Sequence, residues 1–225
     1  MRKRPRCERC ARPVAYCLCA QIPQLASQTK VLILQHHSEQ SHALNTARLA
    51  YLGLCNAELW VGEHFETLAT YLAQQALHYR PVLLYPSELA QVLQPYTAES
   101  LPQQQAETIS NEVPGAAAEK PYLLVVPDGT WKKARKLIYL NSSLAQLPTV
   151  TLASPPASEY RLRAAKEANA LSTIEAITVA LNTLEQPQRF DALLRPFNCL
   201  IEQQISAMGE QRYQQNYLQA KNSSR

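Results

Sequence analysis

Short apolar runs alternate along the chain with longer segments in which apolar residues recur every three or four positions. The short runs predict strands and the longer segments predict helices. The predicted strands are Val31–Leu34, Leu59–Val61, Val82–Tyr85, Leu123–Val126 and Val150–Leu152. The predicted helices are Leu44–Leu54, Glu66–Gln75, Glu88–Leu93, Trp131–Leu140, Thr173–Leu184 and two or three pieces after Arg189, with a break at Pro196. This alternation is typical of an α/β domain with a mostly parallel sheet and flanking helices.

Two segments depart from the alternation. Residues 1–28 are rich in Cys, Arg and Pro and show no helical or strand periodicity, which predicts a small separate module. Residues 97–120 hold few large apolar side chains, which predicts a flexible surface insertion. The remainder of 29–225 is expected to form one domain. With five Gly in the chain, no Gly-rich dinucleotide fingerprint is present.

Charge is unevenly distributed along the 225 residues, although the net charge is only +4. Residues 1–30 carry seven Lys and Arg against one acid, residues 31–120 carry three against nine, and residues 121–225 carry twelve against eight. Basic ends suit a polyanionic partner such as RNA, and solvated surface charge is the alternative. No apolar run is long enough for a membrane span or a secretory signal, so we expect a cytoplasmic protein. We also expect it to be a monomer.

Four cysteines lie within the first nineteen residues. The spacing Cys7-x-x-Cys10 and Cys17-x-Cys19 predicts a tetrahedral Zn²⁺ site that folds this module. An iron–sulfur cluster also uses four thiolates and stays an alternative. A redox pair is disfavoured because the motif lacks a βαβ context. Arg9 and Arg12 within this module are candidates for RNA phosphate.

The predicted strand 123–126 runs into the turn Asp128-Gly-Thr-Trp131. Ligands of open α/β sheets bind at the carboxyl ends of strands, so Asp128 is a candidate catalytic residue. The alternative is that Asp128 or Thr130 only caps the following helix, with Gly129 supplying the turn and Trp131 packing in the core. The helix carries candidate phosphate anchors at Lys132, Lys133, Arg135 and Lys136.

Further polar residues have a structural and a functional interpretation each. Ser172 and Glu175 form a capping box, whose helix N-terminus could also receive a carboxylate. Arg161 and Arg163 are either exposed strand residues or RNA and ligand contacts. Arg48 follows a helix cap and is a weaker RNA candidate. Three histidines lie close in sequence, but no carboxylate pattern accompanies them to support a second metal site: His36, His37 and His42. Each is interpreted as a surface loop residue or as a polar residue near a substrate base.

Taken together, these motifs resemble those of the DTW-domain tRNA-uridine aminocarboxypropyltransferases. The resemblance covers the chain from about Cys7 to beyond Ala176. It rests on the four-Cys motif and on Asn45-Thr-Ala-Arg48-Leu, Leu83-Leu-Tyr-Pro86-Ser-Glu88, Asp128-Gly-Thr-Trp131, Tyr160-Arg-Leu-Arg163 and Leu171-Ser-Thr-Ile-Glu175-Ala176.

The resemblance implies a knotted, SPOUT-like catalytic domain that binds S-adenosylmethionine. The residues that it implies for this ligand are Leu84, Tyr85, Pro86, Ser87, Pro127, Gly129, Leu171, Ser172 and Thr173. It implies catalytic roles for Asp128, Thr130 and Trp131. For Arg161 and Arg163 the resemblance implies contact with RNA phosphate or with the ligand carboxylate. Together with the candidates already named, the expected RNA contacts are Arg9, Arg12, Arg48, Lys132, Lys133, Arg135, Lys136, Arg161 and Arg163.

The implied reaction moves the 3-amino-3-carboxypropyl group of S-adenosylmethionine to N3 of a variable-loop uridine of tRNA and releases methylthioadenosine. Asp128 is the candidate general base for the N3 proton. Two other functions stay open: an S-adenosylmethionine-dependent RNA methyltransferase, and a zinc-containing RNA-binding protein without catalysis.

Overall fold

The computed structural model describes residues 5–96, 120–153, 158 and 171–213. Its centre is a single six-stranded sheet in which every pair of neighbouring strands is parallel. The strands are β1 Lys30–His36, β2 Ala57–Gly62, β3 Arg80–Leu84, β4 Gln91–Val92, β5 Tyr122–Asp128 and β6 Thr149–Thr151. Their order across the sheet is β2-β1-β5-β3-β6-β4. All carboxyl ends therefore lie at one edge of the sheet, where β5 is flanked by β1 and β3.

Helices follow most of the strands. They are α1 Thr46–Gly53, α2 Leu68–Gln75, α3 Trp131–Leu140, α4 Ser142–Ala145, α5 Thr173–Leu184, α6 Arg195–Met208 and α7 Glu210–Tyr213. Short 3₁₀ helices occur at Val14–Tyr16, His37–Glu39 and Asp191–Leu194. In the described part of the chain, no helix is long and apolar enough to span a membrane.

The central strands are apolar on both faces because helices cover both sides of the sheet. Along β1, Val31 and Ile33 join one hydrophobic core while Leu32 and Leu34 join the other. The first core also takes its buried residues from α1, α5 and α6, and the second from α2 and α4. Because successive side chains of a strand point to opposite faces, an unbroken run of buried residues is what this arrangement requires.

The predicted α/β class with a mostly parallel sheet is confirmed. All five predicted strands are present, and the helices predicted at Trp131–Leu140 and Thr173–Leu184 have the predicted bounds. Pro196 stands in the first turn of α6, directly after a 3₁₀ helix, which confirms the predicted break.

Two elements were predicted wrongly or missed. The segment predicted as helix Glu88–Leu93 instead contains the short edge strand β4, which pairs with β6 and is extended by a hydrogen bond from Leu93 N to Thr151 O (2.8 Å). Pairing with a distant strand overrode the local preference of this segment. The four-residue helix α4 was not predicted. Residues 97–119 of the predicted insertion lie outside the described residues.

The cysteine-rich segment packs against the main domain. Cys10, Leu18 and Ile22 are buried and belong to the same hydrophobic core as β1 and α5. Leu25 continues the contact through two backbone hydrogen bonds. Its N–H donates to Gly53 O, and its carbonyl accepts from Cys55 N–H, each over 2.9 Å.

Candidate active site

The bend between β5 and α3 places four consecutive residues at the carboxyl edge of the sheet. Asp128 ends β5, and Thr130 is the N-cap of α3, where its hydroxyl oxygen accepts a hydrogen bond from Lys133 N. Gly129 adopts φ +151°, and a Cβ at this position would lie 2.9 Å from Lys133 Cβ. Glycine is therefore required by both the backbone angle and the close approach. The helix-capping role that the sequence offered as an alternative is performed by Thr130.

The Asp128 carboxylate is 8% exposed and receives hydrogen bonds from side chains of β1 and of α5. Gln35 lies beside Asp128 in the β1–β5 register, and its Nε2 donates to Asp128 Oδ2 over 2.8 Å. The Thr173 hydroxyl, at the start of α5, donates to Asp128 Oδ1. Gln35 Nε2 also donates to Asn45 Oδ1 (3.0 Å), which links the carboxylate to the N-cap of α1. These side-chain donors fix the orientation of a buried negative charge.

Of the three segments implied for S-adenosylmethionine, 127–129 contains Asp128, 171–173 hydrogen-bonds it, and 84–87 lies at the same edge of the sheet. Leu84 ends β3, which neighbours β5 in the sheet, and residues 85–87 follow it. The ring of Tyr85 meets that of Trp131 edge to face, with centroids 5.9 Å apart. Thr173 brings the segment 171–173 to Asp128 through its hydroxyl. Pro86 and Ser87 are exposed, and Trp131 is 36% exposed rather than packed in the core.

Ser172 and Glu175 form the capping box that the sequence predicted. The backbone N–H of Ser172 donates to Glu175 Oε2 over 2.7 Å, and its hydroxyl donates to the same atom over 2.6 Å. The Ser158 hydroxyl also hydrogen-bonds this carboxylate, at 2.9 and 3.0 Å from its two oxygens. Glu175 is buried and holds the start of α5 in place.

The four cysteine sulfurs of the N-terminal module converge. Cys7 and Cys19 Sγ are 3.6 Å apart, Cys10 and Cys17 Sγ are 3.8 Å apart, and all four lie within 4.8 Å of one another. Sulfurs at the corners of a tetrahedron around Zn²⁺ are about 3.8 Å apart when each Zn–S bond is about 2.3 Å long. The predicted ligands therefore fit a tetrahedral metal site.

The surroundings of the cysteines shift their ionisation in opposite directions. Backbone hydrogen bonding, led by Cys10, lowers the pKa of the Cys7 thiol to about 6. Burial raises the pKa of the Cys19 thiol to about 12. A divalent cation would stabilise the thiolate at every one of these positions, which couples metal binding to the fold of the module.

The candidate RNA contacts occupy different environments. Lys133 pairs with Glu39 (2.6 Å) and Lys136 with Glu63 (2.7 Å), so acids of the same chain compensate both charges. Lys132, Arg135 and Arg9 are exposed. Arg12 and Arg48 hold the N-terminal module through hydrogen bonds to carbonyl and amide oxygens, among them those of Ala43 and Arg9. Arg161 and Arg163 lie outside the described residues.

Three polar residues were not predicted from the sequence as parts of the site: Gln35, Asn45 as a side-chain partner, and Glu63. Glu63 follows β2, and its Oε1 lies 2.6 Å from Nε2 of His36, a buried residue whose Cβ is 3.6 Å from the Cβ position built at Gly129. His36 is thus not in a surface loop, whereas His37 and His42 are exposed. A polar residue at the end of an otherwise apolar strand was the available signal for Gln35, and nothing local pointed to Glu63.

Comparison with known proteins identifies the family. The model of the DTW domain matches residues 4–205. A Drosophila melanogaster protein named tRNA-uridine aminocarboxypropyltransferase 2 is 30% identical over 210 residues, which is 90% of this chain and 76% of that protein. The Mus musculus protein of the same name is 30% identical over 222 residues, 96% of this chain and 69% of that protein.

A more distant relative is tRNA-uridine aminocarboxypropyltransferase A of Arabidopsis thaliana, 30% identical over 145 residues, which is 60% of this chain and 51% of that protein. No solved structure matches the chain. The resemblance that the motifs indicated is confirmed, and the chain belongs to the DTW domain family.

Proposed function

We propose that the protein transfers the 3-amino-3-carboxypropyl group of S-adenosylmethionine to N3 of a tRNA uridine, in the variable loop, and releases methylthioadenosine. The observation that carries the proposal is that Asp128 is hydrogen-bonded by Thr173 of segment 171–173, while Tyr85 of segment 84–87 packs against Trp131, three residues after Asp128. The names of the relatives supply the reaction class and the RNA substrate.

The residues present suit S-adenosylmethionine as donor. The turns that follow β3 and β5 offer backbone polar groups and the rings of Tyr85 and Trp131, while α5, of 12 residues, directs the positive end of its dipole toward this edge. The bound donor supplies an electrophilic methylene beside its sulfonium. The chain selects that methylene by position, because geometry and not intrinsic reactivity distinguishes it from the neighbouring carbons.

Asp128 is the proposed general base. The new bond joins uridine N3 to the methylene carbon, the carbon–sulfur bond breaks with its electron pair on sulfur, and the N3 proton passes to the carboxylate. The sulfur leaves as a neutral thioether, so no acid is required. Gln35 and Thr173 aim the carboxylate, which places the acceptor oxygen before the substrate arrives.

Trp131 and Thr130 complete the proposed site. N3 lies on the pairing edge of uridine, so the base must be unpaired and turned out of the stack before it can react. The half-exposed Trp131 ring is the proposed surface for that base, and Thr130 fixes the first turn of α3 behind it.

The remaining parts of the proposal concern the scaffold. Zn²⁺ is the proposed occupant of the four-cysteine site. The core is proposed to be SPOUT-like and knotted, supported by an all-parallel sheet in which β5 lies between β1 and β3. A cytoplasmic monomer acting on tRNA stays our prediction.

The test is the identity of the by-product. Purified protein with bulk tRNA and S-adenosylmethionine should release methylthioadenosine in step with an aminocarboxypropyl mass gain on uridine. Release of adenosylhomocysteine would instead identify a methyltransferase. If S-adenosylmethionine is not consumed, the protein is an RNA-binding protein without catalysis. Asp128→Asn should keep the fold and donor binding but lose product, and product formation at the wild-type rate would remove Asp128 from the role of base.

A further inference from the structure

A cleft of about 240 Å³ lies between the N-terminal module and the start of α1. Its wall includes Arg6, Arg12, Tyr16, His42 and Arg48. Among the described residues that line it there is no Asp or Glu. The cleft is therefore basic, and it lies outside the three segments that surround Asp128.

The three arginines are held in place without being neutralised. Arg6 donates to Ala11 O over 3.2 Å, and Arg48 donates twice to Arg9 O, over 3.1 and 2.8 Å. Arg12 donates to two further carbonyls and to the amide oxygen of Gln203. Among the described residues, none of the three forms an ion pair with a carboxylate. Neutral acceptors fix each guanidinium but leave its charge and its other N–H groups available for an anion.

The metal site does not cancel this charge. Four thiolates around one Zn²⁺ carry a net charge of about −2, against about +3 for the three guanidinium groups. Burial lowers the pKa of Arg12, which stays protonated because an arginine side chain loses its proton only far above neutral pH. An anion in the cleft would neutralise the positive charge that remains.

The dimensions favour one backbone unit of a nucleic acid over a complete small ligand. Typical small-molecule pockets begin at about 300 Å³, more than this cleft provides. Tyr16 on its wall is 42% exposed and offers a ring against which a base or ribose could stack. Lys133 and Lys136 on α3 are by contrast paired with acids, so they are weaker phosphate anchors than the arginines of the cleft.

The cleft is also connected to the candidate active site. Asn45 lines the cleft, and its Oδ1 accepts the Gln35 amide that donates to Asp128. We propose that the cleft formed by Arg6, Arg12 and Arg48 binds a backbone phosphate of the RNA substrate beside the nucleotide that enters the site. The inference rests on the proposed function for the identity of the RNA, and its own evidence is the cleft and its three arginines, which pair with no carboxylate in the part of the chain that the structure describes.

The test measures tRNA affinity of the full-length, zinc-loaded protein by fluorescence anisotropy at several salt concentrations. Arg6→Gln is the informative variant, because this side chain is exposed and makes a single hydrogen bond within the described structure. Loss of one phosphate contact should weaken binding roughly threefold to tenfold and reduce the slope of log K against log salt by about 0.7 to 0.9.

Arg189→Gln is the matched control. It removes one positive charge from a side chain that pairs with Asp191. Arg189 follows Glu185 and Gln188, which hydrogen-bond the residues before β1, so it lies at the end of the sheet opposite the carboxyl ends of the strands. Its salt slope should equal that of the wild type. A wild-type slope in Arg6→Gln, or an equal reduction in both variants, overturns the proposal.

The two proposals can fail separately. If the wild type makes no aminocarboxypropyl product while Arg6→Gln still weakens RNA binding, the proposed reaction is wrong and the cleft stands. If product forms normally and Arg6→Gln binds tRNA like the wild type, the cleft is wrong and the reaction stands.

Discussion

Replacing Thr173 by Val tests how the candidate base is held. The substitution keeps the shape of the side chain but removes the hydroxyl that donates to Asp128 Oδ1. A hydrogen bond to a charged group contributes roughly 1.5 to 3 kcal/mol, and Asp128 is buried, so water cannot readily replace the donor. At about 2 to 4 °C per kcal/mol for a chain of this size, the Tm should fall by roughly 3 to 12 °C.

The same change should reduce catalysis. Gln35 remains as a donor to Oδ2, but the direct support of Oδ1 by the Thr173 hydroxyl is lost, so the carboxylate is oriented less firmly. A misplaced reacting group costs on the order of 10² in rate, and we expect kcat to fall tenfold to a hundredfold with a smaller change in KM for S-adenosylmethionine.

The assays are thermal unfolding of the zinc-loaded protein and the rate of methylthioadenosine release from saturating tRNA. Thr173→Ser keeps the hydroxyl and is the matched control, which should retain most of both stability and rate. A Thr173→Val protein with wild-type Tm and kcat would show that this hydrogen bond does not hold the carboxylate, and our account of the site would then be incorrect.

Three further predictions concern the scaffold. Gly129→Ala should lower the free energy of unfolding by roughly 1 to 3 kcal/mol. Gly209→Ala, also at positive φ but with open space around its Cβ position, should lower it by less. Equal losses of unfolding free energy, measured by denaturant unfolding, would contradict the crowding at the bend. Elemental analysis should find one zinc per chain, and chelation should lower the Tm by roughly 5 to 11 °C if zinc had been at a hundredfold over its Kd; a metal-free protein of unchanged Tm would refute the metal site. Although burial raises the pKa of Glu58, hydrogen bonds from Lys30 and Tyr71 hold it below its usual value. The Lys30–Glu58 pair therefore stabilises the fold by about 0.5 to 1 kcal/mol above about pH 4, and this contribution is lost as the pH falls further. Glu58→Gln should therefore make the free energy of unfolding depend less on pH in the acid range.

Local sequence determined much of the fold. The apolar runs of β1 and β5 are buried by helices on both faces, so a strand interpretation required no knowledge of the partner strands. The caps at Thr130 and Ser172 are local, and they fixed the starts of α3 and α5 to the residue. The edge strand β4 was missed because it exists through its pairing with β6.

The candidate site was only partly predictable for the same reason. Asp128 follows from its place after a buried strand, but its partners Gln35 and Thr173 lie 93 and 45 residues away. Arg12 was recognisable as a basic residue near the cysteines and Arg48 as one that follows a helix cap, yet their carbonyl partners come from the packing of the module on α1. Side-chain contacts over such separations depend on the tertiary fold.

The central claim is that the site at the Asp128 bend transfers an aminocarboxypropyl group to a tRNA uridine. The most direct test is mass spectrometry of tRNA nucleosides from cells that lack this protein, with and without complementation by the wild type or Asp128→Asn. We predict that one aminocarboxypropyl-uridine peak disappears on deletion, returns with the wild type only, and leaves the methylated nucleosides unchanged. A peak that persists on deletion, or that Asp128→Asn restores in full, would contradict the account.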